Sequence, residues 1–418
     1  MKNSGIEWFG ALPEQWEIST IGALYTVRNE KVSDTEYPPL SVTMKGVVPQ
    51  LETAAKTDAH DDRKLIKKGD FAINSRSDRR GSCGISEYDG SVSLINTILT
   101  PRAEMNPHYY NWLFHTAEFA DEFYKWGHGI VDDLWTTRWQ EMKNISLPIP
   151  SLAEQEKISG LLAEKVSKID ALILNQERQI EKLKQYKQSL ITEVVTKGLD
   201  PTVPLKDSGI EWIGKIPQGW NLNRIKYISE FNPPCSRKIS DETIVSYAPM
   251  DCIKNGYMIP QEIEYSNVSS GLTYFCENDI VMAKVTPCFE NGNIAIAPTL
   301  QNGVAFGSSE LFVFRAIEKK IEKKWLFYYL QSTRFVEKAK STMTGTGGLK
   351  RVSPAFVKDH TLALPPKEDQ IVAVDFLDKK VSQIDCLISV KQSKIEKLNQ
   401  YKKSLIYEYV TGKKEVNQ

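Results

Sequence analysis

Residues 166–173 read VSKIDALI and residues 381–388 read VSQIDCLI; residues 180–191 read IEKLKQYKQSLI and residues 395–406 read IEKLNQYKKSLI. Each pair stands 215 positions apart, inside a longer match of residues 147–196 with 362–411. In the first copy apolar residues recur at alternating steps of four and three: Leu162, Val166, Ile169, Ile173, Ile180, Leu183, Leu190 and Val194, interrupted by Gln176 and Lys187. The second copy runs Leu377, Val381, Ile384, Ile388, Ile395, Leu398, Leu405 and Tyr409, interrupted at the same places by Lys391 and Lys402. That period is the seam of a coiled coil, so both segments are expected to be long helices. Ser151 with Glu154, after Pro148 and Pro150, has the spacing of a capping box and sets the first helix start near Ser151.

A helix of about 45 residues rises roughly 65 Å, the length of about 20 base pairs. One helix carries the chain from a first half into a second and the other must bring it back. The two seams are therefore expected to pair antiparallel within the molecule, with pairing between separate chains as the alternative. The polar interruptions are read as setting register.

A second duplication frames the halves. SGIEWFGALPEQWEISTIGALY at 4–25 returns as SGIEWIGKIPQGWNLNRIKYI at 208–228, with Ser4, Gly5, Ile6, Glu7, Trp8, Gly10, Pro13, Trp16 and Ile21 each repeated 204 positions later. Residues 26–146 and 229–361, between the repeated blocks, share little. The linker VTKGLDPTVPLKDSGIEW after the first helix looks like the C-terminal VTGKKEVNQ joined to the N-terminal MKNSGIEW. The expected plan is a ring of approximate twofold symmetry: a domain over 1–150, a spacer helix over 151–197, a linker and second domain over 198–366, and a spacer helix over 367–411. The fold class is two α+β domains separated by an intramolecular antiparallel coiled coil.

The chain has 418 residues, 41% apolar and 25% charged, with 53 basic and 53 acidic side chains. A net charge of zero gives no global attraction to a polyanion, so any nucleic-acid surface must be local. No apolar run approaches the roughly 20 residues a bilayer span needs, and the N-terminus has no signal-peptide pattern, so a cytoplasmic location is expected. Six cysteines and five histidines lie scattered without metal-ligand spacing, so no metal site is expected.

Both variable regions have short strand-like runs leading into polar loops. After Gly69–Asn74, the loop SRSDRRGSCG carries Arg76, Arg79 and Arg80, behind a basic approach at Arg63, Lys64, Lys67 and Lys68. Arginine grips phosphate or reads guanine through two parallel hydrogen bonds. After Asn278–Ala283, the loop AKVTPCFENGN offers Lys284, Thr286, Asn291 and Asn293. Two glycine-bearing segments, 124–138 with Lys125 and Arg138 and 343–351 with Lys350 and Arg351, would let backbone N–H groups approach phosphates. Solvated loops without a partner are the alternative. Trp112, Trp126, Trp135, Trp139, Trp325, Tyr328 and Tyr329 read as packing rather than base-stacking platforms.

Two catalytic patterns fail on inspection and a third is missing. Phe231-Asn232-Pro233-Pro234 looks like an amino-methyltransferase site, but Cys235 stands where an aromatic is needed and no glycine-rich cofactor loop precedes it. Asp132 or Asp133 with Glu141 and Lys143 imitates a nuclease set, yet the second half has Phe356-Val357-Lys358 there. No phosphate-binding G-x-x-x-x-G-K-[ST] occurs.

Duplicated SGIEW-x-G-x-x-P-x-x-W segments, L-P-x-P before a long helix and paired IEKL-x-QY-K-x-SLI helices resemble the specificity subunits of type I restriction-modification enzymes along essentially the whole chain. The second copy departs at Leu362-Ala363-Leu364-Pro365-Pro366. The resemblance implies two target-recognition domains, each reading half of a split site in double-stranded DNA, and no catalysis in this chain. It also implies as partners two methylation subunits that bind S-adenosylmethionine and two restriction subunits that use ATP and Mg2+. A self-contained methyltransferase and a protein scaffold are the rival readings.

Overall fold

The computed structural model describes residues 1–50, 61–76, 80–129, 135–346 and 348–416. They form two compact units, the first made of Met1–Glu177 with Gln392–Gln418, the second of Arg178–Lys391. Two helices, Leu152–Lys197 and Lys367–Val410, run unbroken through both unit boundaries. The first begins as its sequence requires: the Glu154 N–H donates to Ser151 Oγ and the Ser151 N–H returns a bond to Glu154 Oε2.

Within each unit the helices pair antiparallel. In unit one Lys402 Nζ meets Asp170 at 2.6 Å, and in unit two Lys187 Nζ meets Asp385 at 2.7 Å. These are the same bridge made twice, because Asp170 and Lys187 repeat as Asp385 and Lys402. The seam is inside: Leu162, Val166, Ile169, Ile180, Val194, Leu377, Ile384, Ile388, Leu405 and Tyr409 are buried and Ile173, Leu183, Leu190, Val381, Ile395 and Leu398 are half-buried. Leu172 and Leu387, one position off the seam, are 47% and 50% exposed. Apolar character alone therefore did not choose the interface; the period did. Of the lysines that interrupt the seam, Lys187 and Lys402 reach across it to carboxylates and Lys391 to the Gln179 amide oxygen, pairings that a one-heptad slip would break.

The variable regions share a topology that their sequences hide. In unit one an antiparallel sheet has the order Cys83–Ile85, Phe71–Asn74, Asn96–Pro101, Tyr25–Arg28; in unit two the order is Ile294–Ile296, Ile280–Ala283, Leu311–Ala316, Ser229–Phe231. A second layer repeats too. Unit two has Gln261–Glu264, Ile244–Ala248, Val304–Gly307 and Thr273–Cys276, with the middle pair parallel. Unit one has the hairpin Leu40–Thr43/Gly46–Pro49, a parallel bridge from Pro39 to Ser91, and Gly90–Val92 paired with Arg63–Ile66. Two helices cover each main sheet, Pro107–Phe114 and Ala117–Lys125 in one unit, Lys323–Gln331 and Thr333–Lys340 in the other.

Each main sheet stands on a buried aspartate that follows a residue of positive φ, Gly69 (88°) or Asn278 (67°). Asp70 accepts from Arg28 and from Thr100; Asp279 accepts from Arg315 at 2.9 and 2.7 Å and from the Cys276 N–H. Thr100 and Arg315 occupy the same place on the same strand, so the ion pair is kept while its arginine changes strand. A buried carboxylate needs such partners to remain charged.

The SGIEW segments tie the domains to the helices. Trp16 Nε1 donates to Glu154, and the strand that follows, Glu17–Thr20, pairs with Ser146–Ile149 at the helix start. Asn221–Arg224 and Thr361–Leu364 do the same in unit two. Gly412, past the second helix, lies against Trp16, and Gly198, past the first, lies against Trp220, both at positive φ. The expected equivalence between the chain termini and the linker is thus present in the contacts each unit makes. Of the aromatics read as packing, Trp325, Tyr328 and Tyr329 are buried, and Trp112, Trp126, Trp135 and Trp139 are half-buried.

Candidate nucleic-acid interface

In each unit the polar loop after the central strand meets the glycine-bearing segment from much later in the chain. In unit one Arg76 bridges Thr136, Thr136 bridges His128, and the Thr137 N–H donates to Ser75 O at 2.9 Å. In unit two Val285 bridges Arg351, Arg351 bridges Thr344, and the Val352 N–H donates to Lys284 O at 2.9 Å. The two three-segment ribbons share these bridges and this bond. Loops chosen separately from sequence are therefore one surface in each unit.

The side chains on the ribbons differ. In unit one Arg76 is exposed, and Arg80 pairs with Asp121 while lying 5.3 Å over the Tyr124 ring. Trp135 stacks on the same tyrosine, with centroids 5.6 Å apart and planes at 26°. Only glycine fits at 127, because a Cβ there would sit 2.3 Å from the Trp135 Nε1. Lys125, at the end of the covering helix, reaches Glu7 at 3.1 Å, and Arg138 is exposed at the cap of the helix Trp139–Met142. Arg79 and Asp132 and Asp133 lie outside the described residues.

In unit two Arg351 forms a two-pronged bridge to Glu310, with Nε at 2.9 and 3.0 Å and Nη2 at 2.8 Å. The hydrogen bond from Arg351 holds the Glu310 carboxyl below the usual carboxylate range, and nearby Lys284 adds to this. Lys284 Nζ donates to Ser309 O at 2.7 Å and stands 5.6 Å over Phe312. Lys350 and Asn291 are exposed.

Three of the residues expected at the DNA surface are placed away from the ribbon surface. Lys64 is half-buried, its Nζ donating to Asn96 O at 2.8 Å, and burial lowers its pKa; this ammonium braces a strand end. Thr286 is buried, its hydroxyl donating to Gly348 O and accepting from the Lys350 N–H, so both of its capacities are used inside the ribbon. Lys67, although exposed, lies in the turn that bonds Asp70, at the opposite end of the strand from Arg76. Sequence reasoning missed Glu310, Asp121 and the Tyr124 stack. Glu310 stands 41 positions from the arginine it holds, and no local pattern announces such a pair.

Asn232 uses its side chain and its N–H on the backbone of Val313, serving the sheet edge. Among the described residues no group of three or more His, Cys, Asp or Glu is placed to hold a metal, and no helix is long and apolar enough to cross a membrane.

The profile of the type I restriction modification DNA specificity domain matches residues 217–400. The chain is 35% identical over 159 residues to the type I restriction enzyme EcoAI specificity subunit of Escherichia coli, a match covering 37% of this chain and only 27% of that one. It is 24% identical over 424 residues to the type I restriction enzyme MjaVIII specificity subunit of Methanocaldococcus jannaschii, covering 96% of this chain and 93% of that one. A solved chain from work on complex assembly and conformational transition of the type I R-M system has the same fold, with a TM-score of 0.70 at 15% identity over 96% of this chain and 98% of that one.

Proposed function

We propose that this chain is a DNA specificity subunit of the type I restriction-modification kind, which reads a target in two separated parts and places partner subunits over it; the support is the matching domain profile over residues 217–400 together with the shared fold. The carrying observation is the pair of equivalent ribbons with unlike side chains on a duplicated helical frame. Equal supports put each ribbon to the same use. Unequal surfaces, with Arg76 and Arg80 on one and Arg351 on the other, give each half its own preference. The helices then set the unread gap between two half-sites in the major groove.

The chain itself is non-catalytic in this reading, and S-adenosylmethionine, ATP and Mg2+ belong to its methylation and restriction subunits. The helical frame supports two copies of one methylation partner. Tyr186 and Leu387 flank the Lys187–Asp385 bridge, Tyr401 and Leu172 flank its repeat, and all four are at least 47% exposed. Exposed apolar groups repeated in this way suit one surface used twice. The complex would work on cytoplasmic DNA.

The test is to express the chain with its methylation subunits and map the methylated adenines. A motif of two short specified stretches around an unspecified gap is expected. A contiguous motif, or none, refutes the reading. The purified chain alone is expected neither to bind nor to consume S-adenosylmethionine, and turnover by it would favour the self-contained methyltransferase.

A further inference from the structure

We propose that Arg351, aimed by Glu310, reads a single guanine in the half-site served by unit two. The inference rests on the reading of split DNA recognition above and adds a residue, a base and a positioning group. Glu310 takes the side of the guanidinium formed by Nε and Nη2. Nη1 and the outer hydrogen of Nη2 remain as a second fork, and two parallel donors of that kind match the O6 and N7 acceptors of guanine in the major groove.

The carboxylate also decides what the fork can take. A phosphate brought to Arg351 would come up against the ionised Glu310, and like charges at close range are costly; a neutral base edge meets no such penalty. Glu310 stays ionised because Arg351 bonds it and Lys284 adds a further cation. The arginine that most resembles a neutralised surface pair is thereby the one suited to base reading.

The backbone under this fork is fixed. Arg351 is the middle segment of its ribbon, bridged to Val285 on one side and Thr344 on the other, and its N–H donates to Thr344 O at 2.8 Å. The Lys284 N–H donates to Glu310 O, which places the carboxylate relative to the same ribbon. A site on paired segments holds its geometry better than one on a free loop. In unit one the equivalent positions are Thr136 and Ile95, whose carbonyl takes the Ser75 N–H as Glu310 takes that of Lys284. Neither can form a guanidinium fork, so the guanine belongs to one half-site only.

The test maps methylated adenines with the chain and its methylation subunits in four forms: unaltered, Arg351→Lys, Glu310→Gln and Lys350→Ala. Arg351→Lys keeps the charge and loses the fork. It is expected to lower discrimination at one guanine of one half-site by roughly tenfold to a hundredfold, the worth of a two-bond base contact, with the other half-site intact as proof of assembly. Glu310→Gln is expected to relax the same position more weakly. Lys350→Ala is expected to lower methylation at all sites alike and leave the motif unchanged. An unchanged motif for Arg351→Lys, relaxation in both half-sites, or uniform loss at every site overturns the proposal while leaving split recognition standing. A contiguous motif from the unaltered chain overturns the underlying reading instead.

Discussion

Inserting one heptad into both long helices, after Glu177 and after Lys391, tests the proposed role of the helices as a ruler. The two points nearly face each other, since Lys391 Nζ bonds Gln179 across the pair. Seven residues are two turns, so the seam positions return to the same face and each helix lengthens by about 10 Å. At about 3.4 Å per base pair the gap in the methylated motif should grow by about three base pairs, with both half-site sequences unchanged. Insertion into one helix alone cannot be absorbed. Asp170 and Lys187 are as far apart along the first helix as Asp385 and Lys402 along the second, so lengthening one side leaves the two bridges out of step. Exposing two or three seam side chains would then cost roughly 5 kcal/mol, comparable to the stability of a small domain. Thermal melts of the complex should show both single insertions destabilised and the double insertion restored, and site mapping should show the wider gap. A double insertion that kept the old gap or altered a half-site would refute the reasoning, as would single insertions that melt with the double.

Replacing Arg76 and Arg80 with alanine should weaken DNA binding by the assembled complex and flatten its salt dependence, by about one in the slope of log affinity against log salt for each phosphate no longer neutralised; unchanged slope and affinity would remove that ribbon from the interface. Asp279→Ala should destabilise unit two by about 3 kcal/mol in denaturant melts, at the lower end for a broken buried pair, because Arg315 is 34% exposed and regains water. An effect below about 1 kcal/mol would show that the sheet does not depend on this bridge. His360, 3% exposed and bonded to the Tyr329 hydroxyl at 2.9 Å, has its pKa lowered to about 4 by burial. It is neutral when folded, whereas the unfolded chain protonates it below about 6.5, so stability is full above that pH and falls as pH drops toward 4. The difference in unfolding free energy between pH 7 and pH 5 should be about 2 kcal/mol smaller in His360→Gln, and an identical acid response in the two would exclude this histidine as its source.

The helices were legible because their signal is periodic and written twice. Capping residues, seam and interruptions all lie within a few positions of one another, and Leu172 and Leu387 stay exposed although they are as apolar as their neighbours. The ribbons were only half legible. Loop chemistry found the segments that form them, but the pairing of 75–76 with 136–137, or of 284–285 with 351–352, depends on strand order set by the whole sheet. Lys64 shows the same limit from the other side, since its charge is visible in the sequence and its burial is not.

The contrast between frame and ribbon has a physical source. The frame recurs most closely where its contacts are side chain to side chain, Lys402 to Asp170 and Lys187 to Asp385, and a change in either partner breaks them. The ribbons recur only in topology because main-chain bonds hold them: Val352 to Lys284 in one unit, Thr137 to Ser75 in the other. Those bonds are indifferent to what the side chains are. Arg351 can stand where the other half has Thr136, and Glu310 where it has Ile95, with the pairing unchanged. On the proposed reading, a protein built this way would exchange the bases it reads by surface substitution alone, while helices whose slip would break the bridge in each unit would set the spacing.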